Sequence, residues 1–141
     1  LCKINSEAVM DGMTVGAKQA IAAGIDVGMG TDSSCPYCTQ YDMWREVVYF
    51  SRFVGVSSAQ ALRVATLGNA RILGIEGITG SVAEGKSADI LVLKRDPIAD
   101  LSALSEIAFM FAQGRFIDAP KPKKMKKIDA VLDTLMSSVG E

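Results

Sequence analysis

The chain has 141 residues and a mass of 15.0 kDa, with 49% of its residues hydrophobic and 22% charged. This composition excludes intrinsic disorder, and the net charge of −1 argues against a nucleic-acid partner. No apolar run reaches the roughly 18 residues of a membrane-spanning helix, so no membrane partner is expected. Histidine is absent, so a Ser-His-Asp triad or a His-ligated metal would need an imidazole from another chain.

The N-terminus and the cysteines bear on processing and compartment. The first residues, LCKINSEAVMDG, lack the charged and apolar regions of a signal peptide. The chain opens at Leu1 rather than Met, so we expect it to be cut from a longer polypeptide. Cys2, Cys35 and Cys38 are too few for a disulfide framework and suit a reducing compartment, which predicts the cytoplasm.

The first part of the chain predicts a helix followed at once by a strand. Residues 13–23 are typical of a helix, and Gly24 suits a left-handed cap at its end. Residues 25–31, IDVGMGT, are short and apolar, which predicts a buried strand with Asp32 at its C-terminal end. A polar residue at the end of such a strand is typical of a βα-repeat protein.

Helices are predicted over the next part of the chain. Residues 39–54 carry an apolar stripe at helical spacing, formed by Met43, Val47, Phe50 and Val54 and widened by Trp44 and Val48. Ser57 or Ser58 is predicted to cap a helix over 59–66, and a short helix over 69–73 follows.

A small β unit is predicted after Gly77. One strand is expected within 88–94, and two more within 106–118 on either side of Gln113-Gly114. Residues 121–127, KPKKMKK, carry five positive charges, which we interpret as a solvated segment rather than an anion-binding surface. The last element is predicted as an amphipathic helix with one apolar face, Ile128, Val131, Leu132, Leu135 and Val139.

The tetrad Cys35-Pro36-Tyr37-Cys38 resembles the active site of glutaredoxins. A helix beginning after such a motif lowers the pKa of the first thiol, which would make Cys35 and Cys38 a redox pair. Glutaredoxins also carry a later cis-proline segment, whereas the next proline here is Pro97 in an unrelated context. Two reduced loop cysteines are the favoured interpretation, and thiol–disulfide oxidoreductase is kept as the alternative. A zinc site would lack its fourth ligand.

A longer pattern begins at Gly30-Thr31-Asp32-Ser33. Over roughly residues 13–120 the chain resembles the C-terminal region of the metal-dependent amidohydrolase superfamily, in the branch with imidazolonepropionase-like and prolidase-like members. The residues that match the family's pattern occur in its order and at its spacing. They are Ala61-Leu62, Ala65-Thr66, Asn69-Ala70, Leu73-Gly74, Gly80-Ser81, Gly85-Lys86, Ala88-Asp89 and Asp96-Pro97.

This resemblance implies an α/β fold, the C-terminal fragment of a (βα)8 TIM barrel followed by part of a small β-sandwich and a C-terminal helix. The expected divisions are 1–76 for the barrel end, 77–120 for the β-sandwich part and 121–141 for a basic linker and amphipathic helix. Asp32 is implied as a metal ligand or neighbour and as the catalytic base. Substrate contact is expected at the positions that follow, Gln40, Tyr41 and Asp42.

The family's other metal ligands lie upstream of the matched region. The resemblance therefore implies a parent protein that hydrolyses C–N bonds of a small-molecule substrate with a divalent metal, zinc being expected. The chain alone is expected to be inactive, since one carboxylate cannot hold a catalytic zinc. Because a few barrel strands leave open edges, we expect self-association or pairing with the missing N-terminal portion. A non-catalytic remnant or assembly module is the other alternative.

Overall fold

In the computed structural model, which describes residues 2–118 and 120–138 and side chains from residue 8 onward, the first element is helix α1, Cys2–Ala22. It extends the predicted 13–23 helix toward the N-terminus. Gly24 ends it as expected, with a left-handed φ of 72°. The Gly24 N–H donates to the Ile21 carbonyl at 3.0 Å and the Ile25 N–H to the Ala20 carbonyl at 2.9 Å, which is a Schellman motif.

The strand predicted over 25–31 does not form, so that prediction is wrong for this chain. A strand requires a neighbour that pairs with its peptide groups, and no backbone segment of the described residues pairs with these. The side chain of Asn69 supplies part of the missing backbone pairing instead. The Met29 N–H donates to Asn69 Oδ1 at 2.9 Å, and Asn69 Nδ2 donates to the Met29 carbonyl at 2.9 Å.

Three short helices follow. Helix α2, Met43–Tyr49, continues as a π-helical stretch over Phe50–Gly55, and α3, Ser58–Arg63, continues as another over Val64–Gly68 before α4, Asn69–Ile72. Of the two serines expected to cap α3, Ser57 does so, accepting the Gln60 N–H at 3.2 Å. The predicted 39–54 helix begins later than expected, because residues 39–42 form a turn closed by the Asp42 N–H on the Thr39 carbonyl.

The hydrophobic core lies where α2 meets α3 and a short 3-10 turn, Leu101–Ser105. Its buried members are Val47, Val48, Ala61 and Leu101. Half-buried apolar side chains surround them, among them Met29, Trp44, Phe50, Leu104 and Met136. The apolar stripe predicted for residues 39–54 therefore faces the core.

The β unit is a single antiparallel sheet in the order β1-β2-β3, formed by Ile90–Leu93, Ile107–Ala112 and Arg115–Asp118. Gln113 and Gly114 join β2 to β3 with φ angles of 50° and 77°, the left-handed pair that a two-residue type I′ turn requires. The three predicted strands are confirmed. The barrel and the second sheet of a β-sandwich do not occur in the described residues.

Helix α5, Lys126–Ser138, closes the chain as predicted, but its buried face differs from the prediction. Val131 and Leu135 are exposed, and Val139 lies outside the described residues. The side chains that pack inward are spaced four apart: Ile128, Leu132 and Met136. Among the helices of the described residues, none combines the length and apolar character needed to cross a bilayer.

Candidate functional site

Asp32, the predicted catalytic carboxylate, lies in an exposed loop directly after residues 25–31. Its φ of 46° is left-handed, a conformation that Asp tolerates better than most side chains. Ser34 and Tyr37 share this conformation, with φ angles of 92° and 66°. Three non-glycine residues with positive φ within a few positions show that this loop is held by specific contacts.

The tetrad at 35–38 forms a tight turn within that loop. The Cys38 N–H donates to the Cys35 carbonyl at 3.0 Å, and the Ser34 N–H donates to the Cys38 carbonyl at 3.3 Å. Pro36 occupies the second turn position and Tyr37, with its positive φ, the third, as in a type II turn. Both cysteines are free thiols, Cys35 exposed and Cys38 half-buried.

Asp32 and Cys35 interact directly. The Cys35 Sγ lies 3.8 Å from Asp32 Oδ2, with the thiol as donor. The negative charge of Asp32 is the largest cause of a raised pKa for the Cys35 thiol, followed by burial and by Cys38. A thiol–disulfide enzyme needs the opposite shift, and α2 begins only at Met43, so the helix that was expected to stabilise a thiolate does not follow the motif.

A metal centre needs several converging ligands. Across the described side chains, those of residues 8–118 and 120–138, no three His, Cys, Asp or Glu groups come together in a way that could hold an ion. Asp32 is the one carboxylate of loop 31–38. The described residues therefore do not fit a catalytic metal on their own, and what they offer is a single exposed carboxylate.

The three predicted substrate contacts lie in different surroundings. Gln40 is exposed. The hydroxyl of Tyr41 accepts the Met125 N–H at 2.7 Å and donates to Asp129 Oδ1 at 3.1 Å, which joins it to α5. Asp42 is buried. Of these three side chains, Gln40 is the exposed one.

Asp42 organises the start of α2. Its Oδ2 accepts the Thr39 hydroxyl at 2.6 Å, and its Oδ1 accepts Trp44 Nε1 at 3.1 Å. The same Oδ1 lies 3.5 Å from Arg45 Nε. Because Thr39 directly follows the cysteine turn, this buried carboxylate fixes the C-terminal end of the loop that carries Asp32.

Arg45 is the buried charge that sequence reasoning missed. It is 6% exposed, forms an ion pair with Asp133 of α5 at 2.7 Å and stacks over the Trp44 ring at 4.5 Å. In the described part of the chain, its Nε and Nη1 have no hydrogen-bond partner. The available signal was a positive charge inside the apolar stripe of residues 39–54, a position that requires acidic partners.

Two cavities adjoin these elements. One of about 40 Å³ lies between the loop, α2 and α5, and Tyr37, Arg45 and Leu132 contribute to its walls. Glu46 and Tyr49 also line it, and burial raises the pKa of both side chains. The other, an open apolar groove of about 780 Å³, runs between the α3–α4 stretch and β1 and contains none of the predicted site residues.

Comparison with known proteins gives a family match over most of the chain. The profile of the Amidohydrolase family matches residues 3–118. An imidazolonepropionase from Picrophilus torridus is 31% identical over 106 residues, which are 72% of this chain and 27% of that protein. The chain therefore spans about a quarter of the length of this curated relative.

Solved structures agree with that match. A protein from Bifidobacterium longum, provisionally named a prolidase, is 45% identical with a TM-score of 0.83, covering 86% of this chain and 30% of that one. A Xaa-Pro dipeptidase solved with methionine in its active site is 28% identical with a TM-score of 0.65, covering 75% and 25% of the two chains.

Proposed function

Because this chain belongs to the amidohydrolase family, we propose that it is the C-terminal part of a metal-dependent hydrolase that cleaves C–N bonds. The observation that carries the proposal is the family match over residues 3–118, which includes the loop where Asp32 stands exposed. The family is generally metal-dependent. Loop 31–38 supplies one exposed carboxylate, Asp32, so the remaining ligands are proposed to come from polypeptide outside these 141 residues.

Asp32 is the residue to which we assign the acid–base chemistry. Hydrolysis of a C–N bond needs a group that takes a proton from the attacking water and returns it to the leaving nitrogen. A carboxylate that is exposed and rigidly held can do both. The turn at 35–38 and the Thr39–Asp42 hydrogen bond hold the loop, so they would keep the Asp32 carboxylate in place.

The substrate class we favour is a dipeptide amide. The two structural relatives with the names prolidase and Xaa-Pro dipeptidase support it, the first at 45% identity. The imidazolonepropionase from Picrophilus torridus supports a second class, cyclic amides, at 31% identity. Both are C–N bonds of small molecules, and Gln40 is the side chain of this chain that we propose for substrate contact.

The partner we propose for this chain is the rest of the same polypeptide, which would cover its apolar groove. Apolar side chains around that groove are strongly exposed, with Leu73 at 69% and Val82 at 82%. Relatives are more than three times as long as the matched segment, so they contain the material for such a cover. The isolated chain is then expected to associate with itself and to be inactive, and its two free loop thiols support a reducing compartment such as the cytoplasm.

The test uses the gene product that contains this chain and its upstream sequence. We expect zinc-loaded protein to hydrolyse Xaa-Pro dipeptides or a cyclic amide, and Asp32→Asn to lower kcat by at least about 100-fold with an unchanged circular dichroism spectrum. Asp26→Asn, a nearby acid outside the loop, is the matched control and should retain activity. Full turnover by the Asp32 variant would remove this carboxylate from the mechanism. Measurable hydrolysis by the 141-residue chain alone would contradict its proposed inactivity.

A further inference from the structure

We propose that Cys35 and Cys38 are an oxidisable pair that closes an intrachain disulfide beside Asp32, so that the redox state of the loop changes the contacts of that carboxylate. The formation of the bond is independent of the proposed function. Only its consequence for catalysis rests on Asp32 being the catalytic carboxylate.

The turn brings the two residues within bonding range. A hydrogen-bonded β-turn holds its first and fourth Cα atoms less than about 7 Å apart, and a disulfide joins Cα atoms about 4.4–6.8 Å apart. Cys35 and Cys38 are the first and fourth residues of such a turn, closed by the 3.0 Å hydrogen bond between them. The Cα separation that the turn imposes is therefore compatible with the bond.

The neighbouring residues hold the turn in place. Pro36 fixes φ at the second position, and Tyr37 is kept at a φ of 66° despite its side chain. The Ser34 N–H on the Cys38 carbonyl closes the loop a second time, and Thr39 is held by the buried Asp42. Because the loop is ordered before the reaction, little chain entropy is lost when the sulfurs join.

The chemistry is a two-electron oxidation by a small disulfide. The exposed Cys35 attacks the reagent in its thiolate form, which the charge of Asp32 disfavours, so this step is slow. The attack releases one small thiol, and Cys38 then displaces the second from the mixed disulfide. Two S–H bonds and the reagent's S–S bond break, one protein S–S bond forms, and both protons end on the released thiols. The new bond turns the Cys35 sulfur toward Cys38, so Asp32 loses the thiol that lies 3.8 Å from its Oδ2.

The experiment oxidises the 141-residue chain with the neutral reagent hydroxyethyl disulfide and maps its peptides without reduction. We expect a Cys35–Cys38 bond with the loss of two hydrogen masses. Two variants separate the turn geometry from simple proximity in sequence. Tyr37→Gly, which accepts a positive φ, should form the bond at least as readily, whereas Tyr37→Pro, which cannot, should form about tenfold less at the same reagent ratio.

A second measurement, by NMR, reports on the environment of the Asp32 carboxylate. In protein labelled with ¹³C at aspartate, with Asp32→Asn used for assignment, oxidation should shift the Asp32 Cγ resonance and leave that of Asp26 unchanged. Mixed disulfides without the intrachain bond, equal yields from the Gly and Pro variants, or an unmoved Asp32 resonance would each overturn the proposal. Because no outcome depends on turnover, failure here is distinguishable from failure of the proposed function.

Discussion

The Asn69 carboxamide bonds both peptide groups of Met29, accepting its N–H and donating to its carbonyl, each at 2.9 Å. A neighbouring strand would use the same donor and acceptor. Asn69 therefore joins α4 to the segment that leads to Asp32, across 40 residues of sequence. A substitution that displaces the Asn69 side chain should therefore destabilise the segment that precedes Asp32.

Gly28 lies against the side chains of Asn69 and Ile72. A Cβ at this position would lie 2.8 Å from Asn69 Oδ1 and 3.0 Å from Ile72 Cδ1, and the two hydrogen bonds prevent Asn69 from yielding. We expect Gly28→Ala to lower the free energy of unfolding by about 1–3 kcal/mol. Gly30→Ala has no atom within 4 Å of its Cβ and should be neutral or slightly stabilising. Urea denaturation followed by Trp44 fluorescence measures both, and equal stabilities would contradict the packing described.

Gly80 should be less replaceable than Gly85 although both have a left-handed backbone, with φ angles of 87° and 83°. A Cβ on Gly80 would lie 2.5 Å from Ala70 Cβ, whereas a Cβ on Gly85 meets nothing within 4 Å. Gly85→Ala should cost about 1–2 kcal/mol for the backbone alone. Gly80→Ala should cost about 2 kcal/mol more, because helix α4 would have to move. Thermal unfolding of the pair tests this, and matching transition temperatures would count against the close contact.

Asp133 should stabilise the docking of α5 through the buried Arg45. Asp133→Ala removes the 2.7 Å ion pair and leaves a guanidinium whose Nε and Nη1 already lack hydrogen-bond partners in the described residues. We expect a loss of about 1 kcal/mol, moderated by the exposure of Asp133 itself. Thr134→Ala is the matched control, since its hydroxyl bonds only to Ala130 within the helix. Limited proteolysis should cleave α5 faster in the Asp133 variant, and equal cleavage rates would show that the ion pair does not hold the helix.

The stability of the fold should depend on pH through Asp100, which caps the 3-10 turn Leu101–Ser105. Hydrogen bonds from Ser102, together with Arg95, lower the pKa of the Asp100 carboxyl to about 2. Because the folded-state pKa lies below the unfolded value, the ionised carboxylate stabilises the fold above about pH 4, and this contribution is lost as the pH falls toward 2. Asp100→Asn should therefore be less stable than the parent sequence at pH 6, with a difference that shrinks between pH 4 and pH 2. A difference that does not change with pH would exclude this linkage.

Local patterns in the sequence predict those elements whose partners lie within the chain. The turn at Gln113-Gly114 and the helix end at Gly24 follow from glycine placement, and the Ser57 cap follows from a side chain next to its own helix. The strand predicted over 25–31 is wrong because a buried strand needs a pairing neighbour, and the described residues place none beside it. The residue pattern marks this segment as apolar, whereas strand formation also depends on a pairing partner elsewhere in the chain.

Part of the candidate site could likewise be predicted from local sequence, and part of it could not. Asp32 and the cysteine turn could be found from motifs because their residue types carry the signal. The network of Asp42, Arg45 and Asp133 could not, since it joins positions 88 residues apart and no local spacing predicts such a contact. The buried face of α5 was misjudged for a related reason. The helix turns its Ile128 side toward the core because Asp129 and Asp133 bond to Tyr41 and Arg45.

Helix α5 lies beyond residue 118, where the family match ends, yet it neutralises a guanidinium inside the matched region. A protein that ended at residue 118 would keep Arg45 and Asp42 but lose Asp133, together with the Leu132 side chain that lines the neighbouring cavity. Expression vectors and evolutionary comparisons of this branch should therefore treat the C-terminal helix as an integral part of the folded unit.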